Sequence, residues 1–221
     1  MQIPEHIEIK TSGGSRVAYL SPQADKLRNC FIENEQNGPC TLTFELPLTS
    51  TKWAYITDGH RFYAGGKEFV IHDPDSIEIK REGRKRWGVV KAQESWALLR
   101  RKYRTVSNDP NTPSPAWSQV VIVSGGAASG GFAAGSAGSA LSHLLQGSGW
   151  TVGTVDVTGT FDLETEKENL LTNIKKVQEI WGGIFVWDSL NKVIHLRNEI
   201  TWQPYNGFQI RYAKNLKHIM R

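Results

Sequence analysis

The stretch that decides the fold runs from Leu141 to Arg197 and has the sequence LSHLLQGSGWTVGTVDVTGTFDLETEKENLLTNIKKVQEIWGGIFVWDSLNKVIHLR. Its first residues form a short apolar segment that stops at Gly147-Ser-Gly149. Residues 150–153 and 155–157 then alternate between apolar and polar or small side chains, a pattern typical of half-buried strands. The stretch is therefore predicted to open with a helix and two strands.

The strongest helix signal of the chain comes next. Thr165-Glu-Lys-Glu168 is a capping box, in which the Thr hydroxyl and the Glu carboxylate bind free amides of the first turn. Apolar residues then recur at helical spacing and form one stripe: Leu170, Ile174, Val177 and Trp181. Gly182-Gly183 is expected to end the helix, because glycine readily takes the left-handed conformation of a C-terminal cap.

A β-hairpin is predicted after this helix. The apolar runs 184–187 and 193–196 flank the polar stretch 188–192. His195 alternates within the second run, which favours a structural role over metal binding. The whole segment thus predicts the order helix, two strands, helix, two strands.

The first half of the chain has the pattern of successive short strands. Residues 7–9 and 16–20 flank Gly13-Gly14 and predict one hairpin. Asn37-Gly38, a pair favoured in two-residue turns, predicts a second. Further strands are predicted at 62–63, 68–71, 76–79 and 87–92, and a short helix at 95–100. Many short strands at regular spacing indicate an antiparallel barrel or sandwich.

A break in the pattern marks a domain boundary. Three prolines fall within residues 108–115, and residues 120–123 follow as a predicted strand. The low-complexity Gly, Ala and Ser of residues 124–140 are typical of a flexible linker. A helix over 133–145 is the alternative, although each glycine costs a helix roughly 1 kcal/mol. Residues 208–212 predict a last strand before a basic tail.

Length, composition and charge fit one large domain or two ordinary ones. Hydrophobic residues make up 39% of the 221 residues, which suffices for a core, and the net charge is +4. A basic cluster at residues 80–86 favours a solvated hairpin end over binding of an acidic partner or nucleic acid. No apolar stretch approaches the ~20 residues that cross a bilayer, and residues 1–6 lack the features of a signal peptide. We expect a soluble chain made in a cytosol.

The sequence lacks the short motifs of catalytic and cofactor sites. The Gly-rich stretch has no Gly-Lys-Ser/Thr for a phosphate loop, and Gly147, Gly149 and Gly153 miss the dinucleotide fingerprint by one residue. The six histidines are scattered, and Cys30 and Cys40 lack the further ligands of a zinc site. No G-x-S-x-G occurs. We therefore predict no catalytic residue, no cofactor and no metal site.

Two chemistries remain open on sequence alone. Paired carboxylates for hydrolysis can come from distant strands, and exposed aromatic residues can form a sugar-binding platform. Trp150, Trp181 and Trp187 stand at core positions of their elements, which favours burial.

The two cysteines are expected to be free thiols. A two-residue turn at Asn37-Gly38 pairs Phe31 with Phe44, which places Cys30 and Cys40 on opposite faces of the hairpin. Free thiols are typical of a reducing compartment.

Several of these motifs together resemble phage tail-tip proteins. The second half contributes LLQGSGWTVG at 144–153, Phe161-Asp162 before the capped helix, WGGIFV at 181–186 and YAKNLK at 212–217. The first half contributes residues 34–47, 66–71 and 89–94. In this order and spacing they resemble the N-terminal hub region of the tail-associated lysin, or prophage endopeptidase tail, family. That region is similar in design to the baseplate hub proteins of contractile-tailed phages.

The resemblance implies a homotrimeric hub that closes the tail tube beneath a hexameric ring of distal tail protein. Members of the family carry two similar β-barrel domains with an α/β domain inserted between them. The barrels frame a channel through which the tape measure protein and, transiently, the phage DNA leave. Fibres, receptor-binding proteins or lytic domains attach at the C-terminus. The chain would thus be a virion component of the tail tip, assembled in the host bacterial cytoplasm.

The combined prediction is an α+β protein with three parts. These are a β-barrel hub domain at 1–107, an α/β domain at 108–205 and the first strand of a second, incomplete barrel at 206–221. Because that barrel is only begun, we expect the 221 residues to be part of a longer polypeptide. The leading hypothesis is a structural, non-enzymatic tail-tip protein. The alternatives are the N-terminal part of a tail-associated peptidoglycan hydrolase or peptidase, and a carbohydrate-binding module.

Overall fold

The structure, a computed structural model, describes residues 2–35, 38–103, 121–122, 128–165 and 168–198. Eight strands come first along the chain. They are Ile7–Thr11 (β1), Arg16–Leu20 (β2), Arg28–Asn34 (β3), Cys40–Pro47 (β4), His60–Ala64 (β5), Lys67–Val70 (β6), Ile77–Glu82 (β7) and Lys85–Glu94 (β8). Each strand predicted between residues 7 and 92 is confirmed. The predicted short helix is also confirmed, as a 3₁₀ helix at Ser95–Arg101. Two more 3₁₀ helices lie at Thr51–Tyr55 and Pro74–Ser76.

The eight strands form one antiparallel sheet built on β8. Strand β4 pairs along one edge of β8, while β7 and then β6 pair along the other. Across the sheet, the order of hydrogen-bonded neighbours is β2-β1-β5-β6-β8-β4-β3, and β7 pairs with β8 outside this order. At its end, Gln2 and Ile32 exchange two main-chain hydrogen bonds of 2.9 and 2.7 Å. This bridge joins β3 to the segment before β1, so the sheet curls round towards its own beginning.

The inner face of the curled sheet holds the first hydrophobic core. Alternation along β4 buries Leu42, Phe44 and Leu46 completely, as a strand with one inward face requires. Phe62 and Phe69 from the neighbouring strands are equally buried. Burial of these apolar side chains stabilises the curled sheet.

The predicted register of the β3–β4 hairpin is wrong by one residue. Phe31 pairs with Thr43, and Asn34 pairs with Cys40. A two-residue turn at 37–38 would require residue 39 to donate to residue 36, and Pro39 has no N–H. Instead the Glu35 N–H donates to the Pro39 carbonyl at 3.2 Å, which lengthens the loop. Residues 36 and 37 themselves lie outside the described residues.

Because the register differs from the predicted one, the two thiols stay apart for a different reason. Cys40 belongs to the core inside the sheet, and Cys30 packs against that same core, so the predicted placement on opposite faces is wrong. Both cysteines are free. Cys30 lies four residues along β3 from Asn34, the partner of Cys40, which is roughly 13 Å in a strand. A disulfide needs Cα atoms within about 7 Å.

An α/β unit follows the curled sheet. Its elements are Val121–Ile122 (β9), Ala137–Leu144 (α1), Thr151–Val155 (β10), Leu163–Glu164 (β11), Leu170–Trp181 (α2), Ile184–Asp188 (β12) and Val193–Arg197 (β13). β12 and β13 form the predicted hairpin, and β10 joins it parallel to β13. From α1 onward the order helix, two strands, helix, two strands is confirmed. The second strand differs in place, because β11 lies beyond residues 155–157 and pairs with β9.

The Gly, Ala and Ser stretch is predicted to be either a linker or a helix, and its last part lies in helix α1. The helix begins after Ser136, whose hydroxyl accepts from the Ser139 N–H at 3.3 Å. Gly138 lies in its first turns, where a Cβ would come within 2.3 Å of the Phe132 ring. The small residue therefore allows a close approach that offsets its low helix propensity. Residues 124–127 lie outside the described residues.

The start of α2 corrects the predicted capping box. The cap is Asn169, whose Oδ1 accepts from the Thr172 N–H at 2.9 Å. Glu168 instead forms an ion pair with Lys176 at 3.1 Å. Asparagine is as effective a cap as threonine, and here it stands immediately before the first residue of the apolar stripe. The predicted end is confirmed, with Gly182 at φ 75°.

The second hydrophobic core draws residues from both halves of the chain. It contains the apolar faces of α1, α2 and the three-stranded sheet, together with Trp96, Ala97 and Leu99 of the 3₁₀ helix that follows β8. The predicted boundary at residues 107–108 lies outside the described residues, and so does the strand predicted at 208–212. The division into domains at 1–107, 108–205 and 206–221 stays a prediction.

Candidate functional site

A cluster of polar side chains lies where the α/β unit meets the curled sheet. We name it the seam and define it by Glu68, Ser95, Ser189 and Lys192. The Lys192 ammonium donates to Glu68 Oε1 at 2.5 Å and to the Ser95 hydroxyl at 2.7 Å. The Glu68 N–H donates to the Ser189 hydroxyl at 3.0 Å. Side chains from the β12–β13 turn thus bind both a strand and a helix of the first half.

The backbone of the turn positions Lys192. This residue has φ 57°, a left-handed conformation that a lysine adopts only at a cost. The Asp188 carboxylate accepts from the Asn191 main-chain N–H at 3.0 Å and from its side-chain amide at 2.7 Å, which closes the turn. Hydrogen bonds to Asn191 also hold the pKa of Asp188 below its usual value.

Glu68 is the most heavily used acceptor of the seam. Its side chain is buried, and its Oε2 accepts from the Tyr63 hydroxyl at 2.9 Å. Arg61 Nε lies 3.9 Å from its Oε1. Burial, reinforced by the hydrogen bond to Glu68, raises the pKa of Tyr63 to about 12. A carboxylate that already accepts from lysine and tyrosine is suited to fixing two elements together rather than to taking a proton from a substrate.

A second buried carboxylate extends the seam towards the tryptophans. Lys67 Nζ donates to Glu94 Oε2 at 2.8 Å, and the Trp96 indole N–H donates to the same oxygen at 3.2 Å. The Trp96 ring stacks on Trp187 with centroids 5.0 Å apart. The chain leaving β8 is therefore attached to the α/β unit by the Lys192–Ser95 hydrogen bond and by the Trp96–Trp187 stack.

Trp150, Trp181 and Trp187 pack in or against the second core instead of forming an exposed platform. Trp150 and Trp181 are 7% exposed, as predicted. Trp187 is half-buried between Trp96 and Trp150, the latter meeting it edge-on at 5.7 Å. Trp181 meets Phe161 edge-on at 5.7 Å. A sugar-binding platform needs exposed ring faces, and each of these three rings packs against another aromatic ring.

The residues considered from the sequence as metal ligands or nucleophiles, His195, Cys30 and Cys40, also make structural contacts. His195 Nδ1 accepts from the Thr154 N–H at 2.9 Å and so joins β13 to β10. Burial raises the pKa of Cys30 to about 11 and that of Cys40 to about 12, which disfavours the reactive thiolates. Among the described residues no group of three or more His, Cys, Asp or Glu is placed to hold a metal ion.

The basic cluster at residues 80–86 is a solvent-exposed hairpin end, as the composition favoured. It comprises the end of β7, the turn at Gly83 and the start of β8, and its side chains are exposed. In the part of the chain that the structure describes, no helix is long and apolar enough to cross a membrane.

The sequence did not single out Glu68 or Lys192, although one signal was available. Glu68 stands directly before an apolar run in β6, and a carboxylate at the start of such a run indicates a buried partner. Nothing local identified Lys192 as that partner, since 124 residues separate the two.

Comparison with known proteins assigns the fold to a class. Residues 132–196 match the family model described as the prophage endopeptidase tail domain. The chain is similar to the prophage tail protein gp18 of Listeria monocytogenes EGD-e, with a TM-score of 0.63 and 13% identity over 96% of this chain and 56% of that one. For the tail protein of Neisseria meningitidis MC58 the TM-score is 0.50, with 7% identity over 86% and 49% of the two chains. No curated protein matches the chain.

These matches confirm the resemblance that the motifs predicted. The chain has the α+β fold of phage tail proteins. The match to the prophage endopeptidase tail domain covers residues 132–196. The chain spans about half the length of these two solved structures.

Proposed function

We propose that the chain is a structural subunit of the tail tip of a phage or phage-like particle, and that three copies form a hub closing the tail tube. The observation that carries this proposal is the fold similarity to a prophage tail protein over 96% of the chain, together with the tail domain at residues 132–196. A ring of distal tail protein would lie above the hub. The tape measure protein and DNA would leave through its channel.

The surface of the curled sheet supports an assembling protein. All six residues of β7 are exposed, and β7 pairs with β8 along one edge only among the described strands. Ile79 is 65% exposed and Ile77 37%. An open strand edge with apolar side chains invites pairing with another chain, and proteins normally protect it. Burial between copies in a closed ring would provide that protection.

The seam supports a mechanical role without catalysis. Its lysine binds the Glu68 carboxylate and the Ser95 hydroxyl, and these contacts connect the α/β unit to the sheet. A tail component that transmits force between neighbours needs such a fixed connection. We propose that the curled sheet lies towards the tail axis, the α/β unit lies outside it, and fibres or receptor-binding proteins attach further out.

The copy number and position are tested by reconstruction of the assembled particle from images. Threefold density at the tail tip that fits the curled sheet on the inside and the α/β unit on the outside is the expected result. One or six copies per tail would end the hub proposal. Peptidoglycan digestion by the purified chain would favour a hydrolase or peptidase instead, and glycan binding by an isolated monomer would favour a carbohydrate-binding module.

A further inference from the structure

A basic cleft lies at the base of the β7–β8 hairpin, away from the seam. Its volume is ≈ 810 Å³, within the range of pockets that take small ligands or peptide side chains. The segment before β3, the end of β4 and the start of β8 form its walls. Five of its lining residues are cations: Lys26, Arg28, Arg84, Lys85 and Arg86.

The charge of the basic cleft is largely uncompensated. Arg28 forms an ion pair with Glu82 at 2.7 Å. Within the described part of the chain, the other four cations have no carboxylate within ion-pair distance. Cations gathered around one concavity repel one another and attract an anionic ligand.

Apolar residues form the floor of the basic cleft, and one of them carries a buried donor without a partner among the described residues. Leu27, Pro47, Leu48 and Trp87 contribute to it. Trp87 is 6% exposed, and its buried indole N–H has no acceptor among the described residues. The Arg28 guanidinium covers the Trp87 ring at 4.0 Å. Because a buried donor is normally paired, the unpartnered N–H of Trp87 is a second observation at this cleft beside its cations.

We propose that the basic cleft binds an acidic peptide segment of a partner protein. Carboxylates of the segment would pair with the arginines at the rim, where a guanidinium donates two parallel hydrogen bonds to a carboxylate. An apolar side chain of the segment would lie against Leu48 and Trp87. The proposal is independent of copy number and of the position of the chain in a tail.

The shape and lining of the cleft favour a peptide over nucleic acid. A nucleic-acid duplex is bound along a row of phosphates by cations on an extended surface. Here the cations surround a single concavity whose floor is made by leucine, proline and tryptophan. A short peptide that alternates acidic and apolar residues satisfies both the rim and the floor.

The test uses the full chain and a fluorescein-labelled peptide, Asp-Leu-Glu-Asp-Leu-Glu-Asp-Leu, followed by fluorescence anisotropy. Its counterpart, with Asn and Gln replacing Asp and Glu, serves as the neutral probe. We expect the acidic peptide to bind and the neutral one to bind at least about tenfold more weakly, because charge pairing supplies the difference. Equal binding of the two peptides would overturn the proposal.

Charge-reversal variants locate the site. Arg84→Glu/Arg86→Glu should weaken binding of the acidic peptide by on the order of tenfold or more. The matched control Arg100→Glu/Lys175→Glu changes the net charge equally at exposed positions outside the cleft, and it should stay within about twofold of the parent. A second cleft variant, Lys26→Glu/Lys85→Glu, repeats the test should the first fold poorly. Binding unchanged in a folded cleft variant would overturn the proposal.

Two further binding measurements use a Trp87 variant and a nucleic-acid competitor. Trp87→Phe retains the apolar floor and removes the N–H. It should weaken binding of the acidic peptide a few-fold and leave the weak binding of the neutral peptide unchanged. A single-stranded oligonucleotide of similar length serves as competitor. Tighter binding of that oligonucleotide than of the acidic peptide, lost in the same cleft variants, would assign the cleft to nucleic acid and overturn the peptide as its occupant.

Discussion

The Lys192 ammonium lies 2.5 Å from Glu68 Oε1 and thereby attaches the β12–β13 turn to strand β6, across 124 residues of chain. Glu68 is 7% exposed, so its charge depends on this partner for compensation. The same ammonium reaches Ser95 at 2.7 Å. One side chain thus connects the α/β unit to two elements of the first half.

Removing this ammonium is expected to destabilise the protein. Lys192→Met keeps the aliphatic stem but leaves Glu68 without its closest cation, and it should lower the free energy of unfolding by about 2 kcal/mol. Urea unfolding followed by tryptophan fluorescence measures the change. Lys175→Met, at an exposed position of α2, is the control and should remain within about 0.5 kcal/mol of the parent. Equal stability of both variants would show that the seam contributes nothing to stability.

The corrected start of α2 makes a separate prediction. Asn169→Ala removes the oxygen that accepts from the Thr172 N–H, and it should cost about 1 kcal/mol of unfolding free energy. Glu168→Ala removes only a partly exposed ion pair with Lys176 and should cost less than about 0.5 kcal/mol. The reverse ranking in thermal unfolding would restore the capping box at 165–168.

Gly138 is expected to resist replacement although it lies in a helix. In an open helix, Gly→Ala adds about 1 kcal/mol of stability. Here the new Cβ would meet the Phe132 ring at 2.3 Å, so Gly138→Ala should instead destabilise by about 1–3 kcal/mol. A double-mutant cycle with Phe132→Ala measures the coupling, and the glycine replacement should become harmless once the ring is absent. Additive effects would rule out the clash.

The cysteines give a prediction about pH. Burial raises the folded-state pKa of Cys30 to about 11 and that of Cys40 to about 12, above the ordinary value of 9.0. Their contribution to stability is therefore complete below about pH 9 and is lost as the pH rises towards 11 and 12. In a thiol titration near neutral pH, both groups should react slowly in the folded protein and fully in denaturant. Failure of either thiol to react in denaturant would indicate a bond that the structure lacks.

The elements of the fold follow from local patterns that one sequence contains. Alternation at Leu42, Phe44 and Leu46 predicts a strand with a single buried face. The stripe from Leu170 to Trp181 predicts α2, and Gly182 predicts its end. In each case the signal lies within a few residues of its structural effect, and for this reason the prediction succeeds.

Register and long-range contacts depend on details that such patterns do not contain. A single missing N–H at Pro39 shifts β3 against β4 by one residue and moves Cys30 to the inner face. The pairing of Glu68 with Lys192 joins positions far apart along the chain. The position of β11 against β9 is also set by tertiary packing, since two residues carry no periodicity.

The exposed strand β7 gives the last prediction, which concerns assembly. Ile79 is 65% exposed on an edge with no partner among the described strands. If copies of the chain bury this edge against one another, Ile79→Glu places a charge in an apolar contact and should prevent assembly while leaving the fold intact. Ile180→Glu, at an exposed position of α2, is the matched control and should assemble normally. Light scattering gives the mass of each variant, and images of particles carrying each show whether the tail tip forms. Normal particles with Ile79→Glu would mean that β7 lies outside any contact between copies, and the proposed threefold contact would then need another face of the sheet.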